Sequence, residues 1–189
     1  MSPRKSVPQE LTREMILEAA SDLFAVNGYQ HVSMRQIASK LGYSHGAIYY
    51  HFKNKAELFY ALVSDQFHLL DRELEQIMKK NLDDKAKLKQ LFLGYIRFGL
   101  TYQSHYETMF LVKNEEVKNF LNMEPNHTYQ NFAQNVYSLC GKNVSLQEIW
   151  SVFLSLHGFV THYCHQVDGY EEVEGLAQLH ANFLLKAII

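Results

Sequence analysis

Residues 32–58 read V-S-M-R-Q-I-A-S-K-L-G-Y-S-H-G-A-I-Y-Y-H-F-K-N-K-A-E-L. Apolar Met34, Ile37, Ala38 and Leu41 recur at helical spacing, Gly42 interrupts them, and Ala47, Ile48 and Phe52 resume the period in a new direction. Two short helices around a glycine turn, followed by a third helix start, form the layout of a helix-turn-helix reading head. The spacing therefore predicts duplex DNA as a partner.

Working outward, Ser33 with Gln36 has the form of a capping box at the start of the second helix. Upstream, Thr12 caps a helix with inner face Met15, Ile16, Ala19, Ala20, Leu23 and Phe24, closed at Gly28. Residues 1–9 carry two prolines with Arg4 and Lys5 and read as a flexible, mildly basic arm. Downstream, Asn54 with Glu57 opens a helix of about 25 residues running to about Lys80. Further helices are expected at about 84–102, 104–112, 116–122, 126–140, 145–166 and 171–188, with breaks at 81–83, Pro125, 141–143 and Gly169. Ser145 with Glu148 makes another capping box. No convincing alternating strand is present, so the expected class is all-α. An N-terminal domain of residues 1–54 is joined to a larger helical domain of residues 55–189.

Composition sets limits on partners. The 189 residues are 47% hydrophobic, enough for a real core, and the net charge of -2 argues against coating nucleic acid or membrane by bulk charge. Charge is nevertheless uneven: residues 1–55 hold seven Lys and Arg against four Asp and Glu, the remainder eleven against sixteen. Cys140 and Cys164 form no framework, and no apolar run resembles a signal peptide or a membrane span, which predicts a cytoplasmic protein. No G-x-S-x-G elbow, phosphate-binding glycine loop or H-E-x-x-H is present, so no enzymatic role and no cofactor are expected.

Within the reading head, Ser44 caps the third helix, and His45 and Gly46 occupy its first turn, where a side chain reaches a base edge and a missing one permits close approach. Tyr49 lies a turn further on with Tyr50 beside it, and Lys55 sits at the next helix start, where free N–H groups suit an anion. Taken together, A-x-x-L-F at 20–24, Gly28-Tyr29, Ser33 to Ala38, Leu41-Gly42, Ser44, Gly46 to Tyr49, His51 to Lys55 and Leu58 resemble the DNA-binding domain of the TetR family of bacterial transcriptional regulators. The resemblance covers about residues 11–60. It implies an all-α homodimer, three DNA-binding helices, and a divergent C-terminal domain that holds an effector. By position it places Ser33, Ser44, Tyr49 and Lys55 at phosphates and Arg35, His45 and Gly46 near bases, with Tyr50 and His51 close by. Because residues 44–52 contain no Lys or Arg, any bidentate guanine contact falls to Arg35.

Residues 56–189 hold 19 aromatic residues. A packed core is the plain reading; a cavity for a small hydrophobic or aromatic effector is what the resemblance adds, with Tyr95, Phe98, Tyr102, Phe132, Trp150, Phe153 and His157 as candidate lining. The helices at about 145–166 and 171–188 have apolar residues on more than one face and are the expected homodimer interface. His157, His162, Cys164 and His165 invite a metal reading, but their helical spacing does not build a tetrahedral site, so no metal is expected. The function expected is a ligand-responsive repressor on a near-palindromic operator. A DNA-bridging, nucleoid-associated protein and a metal-responsive regulator are the alternatives.

Overall fold

The computed structural model describes residues 10–111, 124–141 and 144–189. All of the regular structure among these residues is helical. The arm at 1–9 and the helix expected at 116–122 lie outside the described residues. The chain divides into two compact units, one ending at Leu62 and the other beginning at Val63.

In the first unit, α1 (Arg13–Asn27) starts where Thr12 Oγ1 accepts from the Met15 amide and ends at Gly28, whose φ of 74° lies in the left-handed region. After a short 3-10 turn at Tyr29–His31, α2 (Met34–Leu41) opens with the capping box: Ser33 N donates to Gln36 Oε1 at 2.7 Å, and Gln36 N to Ser33 Oγ at 3.3 Å. Gly42 closes α2 at φ 74°, ψ 20°, the left-handed geometry that turns the chain into α3 (His45–His51). Ser44 caps α3 through the Ala47 amide. At the start of α4 (Lys55–Met78), Asn54 Oδ1 accepts from Glu57 N and Glu57 Oε2 from Lys53 N. Helices of seven and eight residues are too short to persist alone. Ile16, Ala20, Ile37, Ile48, Phe52, Leu58 and Phe59 hold them in one buried core. The division between units therefore falls inside α4, since its first two turns supply Leu58 and Phe59 to that core.

The second unit contains the rest of α4, then α5 (Asp84–Thr101), α6 (Gln103–Tyr106) continuing into a π-helical turn at Glu107–Leu111, α7 (Glu124–Cys140), α8 (Leu146–Tyr163) and α9 (Glu174–Ile188). Asp83 caps α5, whose buried residues occur on all sides because α7, α8 and α9 all pack on it. A Cβ at Gly99 would collide with Val160, so α5 and α8 meet at a contact that only glycine admits. Ser145 and Glu148 form the capping box of α8. The expected helix of 145–166 stops at Tyr163, and His165 follows with φ 62°. Pro125 does not break α7 but lies in its first turn, where a missing N–H costs nothing. Gly169 is extended and leads into a 3-10 turn at Tyr170–Val173 before α9. Among the described residues no helix is long and apolar enough to cross a membrane.

Candidate nucleic-acid interface and aromatic core

The outer face of α3 presents Ser44, His45, Gly46, Tyr49 and Tyr50, all exposed, with Arg35 and Ser33 exposed at the start of α2. Tyr50 is 88% exposed, an unusual state for a large aromatic ring that no packing requirement explains. The His45 ring stands edge-on to Tyr49, centroids 4.7 Å apart, which fixes both side chains on one line along the helix. Among the described residues, nothing outside its own stretch of helix backbone lies within 4 Å of where a Gly46 Cβ would stand. Its bare backbone is thus not a demand of the fold.

Two residues in this unit behave as supports. Lys55 is half-buried: its ammonium donates to the Tyr29 carbonyl at 2.9 Å and lies 4.1 Å above the Tyr29 ring. It stands at the start of α4 as expected, but its charge is tied to Tyr29 in the 3-10 turn between α1 and α2. Arg13 was not singled out by sequence. Its guanidinium lies 4.2 Å above the Phe52 ring and donates to the His51 carbonyl at 3.3 Å, fastening the end of α3 to the start of α1. The His51 ring itself turns edge-on to Tyr50. A contact between residues 13 and 51 leaves no local pattern, which is why the spacing of Arg13 gave no signal.

In the second unit, Tyr95, Phe132, Trp150, Phe153 and His157 come together. Tyr95 and Phe132 lie edge-on to Phe153, Trp150 stacks on it, and His157 lies parallel to it. Trp150 is at the margin, 44% exposed and edge-on to Tyr129. Phe98 and Tyr102 are in ring contact with each other, and Tyr102 stacks on His105. The residue missing from the expected set is Tyr106. Its hydroxyl is shared between the Tyr95 hydroxyl at 3.0 Å and His157 Nδ1 at 2.5 Å, a polar chain inside an aromatic core. Burial pushes both phenols well above their ordinary range, and burial lowers the His157 pKa. Gln66, 4% exposed on the inner side of α4, has no hydrogen-bond partner among the described residues for either amide atom. Such a vacancy is costly in a finished core.

The residues considered for a metal take separate places. His157 faces the aromatic core, His162 stands against Tyr163, Cys164 is buried with its thiol toward the Gln103 carbonyl, and His165 Nε2 meets Glu107 Oε2 at 2.9 Å. Among the described residues no three His, Cys, Asp or Glu side chains are grouped to hold a metal ion. On α8 and α9, Leu146, Trp150, Leu154, Leu176, Leu179 and Phe183 are exposed, Leu179 and Phe183 at 68% each.

Comparison with known proteins agrees with this geometry. Residues 16–62 match the model of bacterial regulatory proteins of the tetR family. The HTH-type transcriptional regulator SrpR of Pseudomonas putida is 34% identical over 71 residues, covering 38% of this chain and 33% of SrpR. The HTH-type transcriptional activator FasR of Mycolicibacterium smegmatis is 27% identical over 110 residues, 54% of this chain and 50% of FasR. This chain thus spans half or less of the length of these two relatives. Two solved structures share the fold. The transcriptional regulator FadR of Bacillus subtilis, in complex with stearoyl-CoA, has TM-score 0.77 at 20% identity, covering 94% of this chain and 100% of that one. The fatty acid degradation regulator FadR of Bacillus halodurans has TM-score 0.77 at 19% identity, covering 96% and 97%.

Proposed function

We propose that this chain, whose residues 16–62 match the tetR family of bacterial regulatory proteins, is a TetR-type dimeric, ligand-responsive transcriptional repressor that binds a near-palindromic operator. The observation that carries the reading is the outer face of α3, where Tyr49, Tyr50 and His45 are exposed around a glycine that no neighbour requires. In this reading His45 and Arg35 read base edges, Gly46 admits close approach, and Ser33, Ser44 and Tyr49 meet phosphates. Lys55 acts on phosphate through the start of α4 while bracing Tyr29. The exposed apolar residues of α8 and α9 join two copies, and the dimer sets its recognition helices about 34 to 36 Å apart in successive major grooves.

A small hydrophobic or aromatic effector would enter the second unit. The unpartnered Gln66 amide supports this reading, as do the aromatic rings that surround the Tyr95–Tyr106–His157 chain. Release from DNA then requires that the effector prefer an arrangement with altered head spacing, and α4, which runs from one unit into the other, is the element to transmit it.

Footprinting on genomic fragments tests the first part: a few protected near-palindromes are expected, and even coverage without preference would identify a bridging protein instead. For the second, DNA affinity is measured against acyl-CoA thioesters and aromatic acids. One such compound should weaken binding, and Gln66→Leu should remove the response while leaving operator affinity in place. A variant that responds like the wild type would refute the role of Gln66.

A further inference from the structure

Between α4 and α7 lies a cleft of about 110 Å³ lined by Asp71, Leu74, Glu75, Asn131, Gln134 and Asn135. Its floor is an unusual carboxylate. The Asp71 side chain is only 11% exposed, and its oxygens are unequally provided for. Oδ2 accepts from Asn131 Nδ2 at 3.1 Å and lies 3.7 Å from His127 Nδ1, whereas the buried Oδ1 has no hydrogen-bond partner among the described residues. Thr128, 2% exposed and one turn before Asn131, sets its hydroxyl beside the same carboxylate, where it opposes the effect of burial.

A carboxylate withdrawn from water normally takes a cationic partner. Here the ion-pair partner among the described residues is His127, whose side chain is 63% exposed and so remains largely in solvent. Burial accordingly raises the Asp71 pKa despite the opposing effects of Asn131, Thr128, His127 and His68. The remaining polar walls, Glu75 with the amides of Asn131, Gln134 and Asn135, bring no positive charge. An unused carboxylate oxygen beside a cleft whose lining has only acidic and neutral groups matches a donor with several N–H bonds and one positive charge.

We propose that this cleft binds the ammonium group of a small organic cation, with Asp71 as its counter-ion. The cleft has room for the ammonium and a short alkyl segment, which Leu74 would cover. The site is distinct from the aromatic core and from the DNA face, and its occupation does not depend on the regulatory reading.

The test uses the full chain without DNA, with n-butylammonium and the neutral isostere 1-butanol as probes, followed by side-chain amide NMR shifts of Asn131 and by calorimetry. Saturable n-butylammonium binding is expected, with 1-butanol weaker by about ten-fold or more. Asp71→Asn should lose at least about ten-fold in n-butylammonium affinity, while it melts at the same or a higher temperature because it removes an under-compensated charge. Equal binding of the two probes, equal binding by Asp71→Asn, or no saturable n-butylammonium signal up to roughly 10 mM, about ten-thousand-fold weaker than micromolar recognition, would overturn the proposal. The comparison of probes on the wild-type chain stands even if a variant fails to fold.

Discussion

The two units of this chain use their aromatic residues in opposite ways. In the reading head, Phe24, Tyr29, Phe52 and Phe59 are buried, while Tyr49 and Tyr50 face outward. Structure and candidate function are therefore divided between different rings. In the second unit, Tyr95, Phe132, Phe153 and His157 serve both as core and as the candidate effector surroundings. A head can thus lose function without losing stability, whereas in the second unit the two must change together. The physical origin is size. Two helices of seven and eight residues have one inward stripe each and leave the other side free for DNA; the 18-residue α5 is covered by three neighbours and has little free surface.

Four experiments would break or sharpen that division. The largest effect is expected for Phe52→Ala, which empties a position 1% exposed and removes the ring beneath Arg13. A loss of about 3–5 kcal/mol in unfolding free energy should appear in denaturant melts, together with loss of DNA binding. In the second unit, Tyr106→Phe leaves the Tyr95 hydroxyl and His157 Nδ1 without their shared partner. A cost of about 1–3 kcal/mol is expected, with operator affinity retained in the absence of effector. If DNA affinity instead fell in step with stability, the division between units would be wrong.

The third concerns pH. Burial lowers the pKa of both His105 and His157, so the unfolded chain, with histidines near 6.5, binds more protons than the folded one in the acid range. Their contribution should be constant above about pH 6.5 and turn against the fold as pH falls below it. The slope of melting temperature between pH 7.5 and 5.5 should flatten in His157→Phe, and an unchanged slope would exclude this histidine as a contributor. The smallest stability effect belongs to Gly46→Ala. With open space around the added methyl and a better helix former in place, the melting curve should stay or rise by up to about 1 kcal/mol, while operator affinity falls. Unaltered DNA binding would remove Gly46 from the interface.

What the sequence makes legible divides differently, by separation along the chain and not by unit. Thr12, Ser33, Ser44, Asn54 and Ser145 each satisfy an amide three residues on, and a signal that short is visible in a string of letters. The helices and the all-α class followed from such caps and from apolar spacing. Contacts that span long stretches of chain left no comparable trace: Arg13 with His51, Tyr106 with His157, and Gln103 with the Val167 carbonyl. The end of α8 was misplaced for that reason. Gln103 Oε1 accepts from the His165 amide, and this distant bond holds the chain in a left-handed turn where the local sequence suggested continued helix. For Lys55, the residue type suggested an anion contact, and only the fold revealed the Tyr29 ring beneath its ammonium. The exposed α3 residues were legible because no core requirement competed for them.

The close contact of α5 with α8 carries a consequence for how this protein tolerates change. Since a methyl group at position 99 would occupy the space of the Val160 side chain, the two positions share one volume. Drift at either site is therefore conditional on the other. Shrinking Val160 to Ala removes the severest clash and leaves the Tyr106 ring edge 3.0 Å from a methyl at 99, so the paired exchange should restore part of what the single Gly99→Ala substitution destroys. In an engineered library, residues 99 and 160 are best randomised as a single codon pair, because scanning them one at a time would record two immovable positions where there is one exchangeable one.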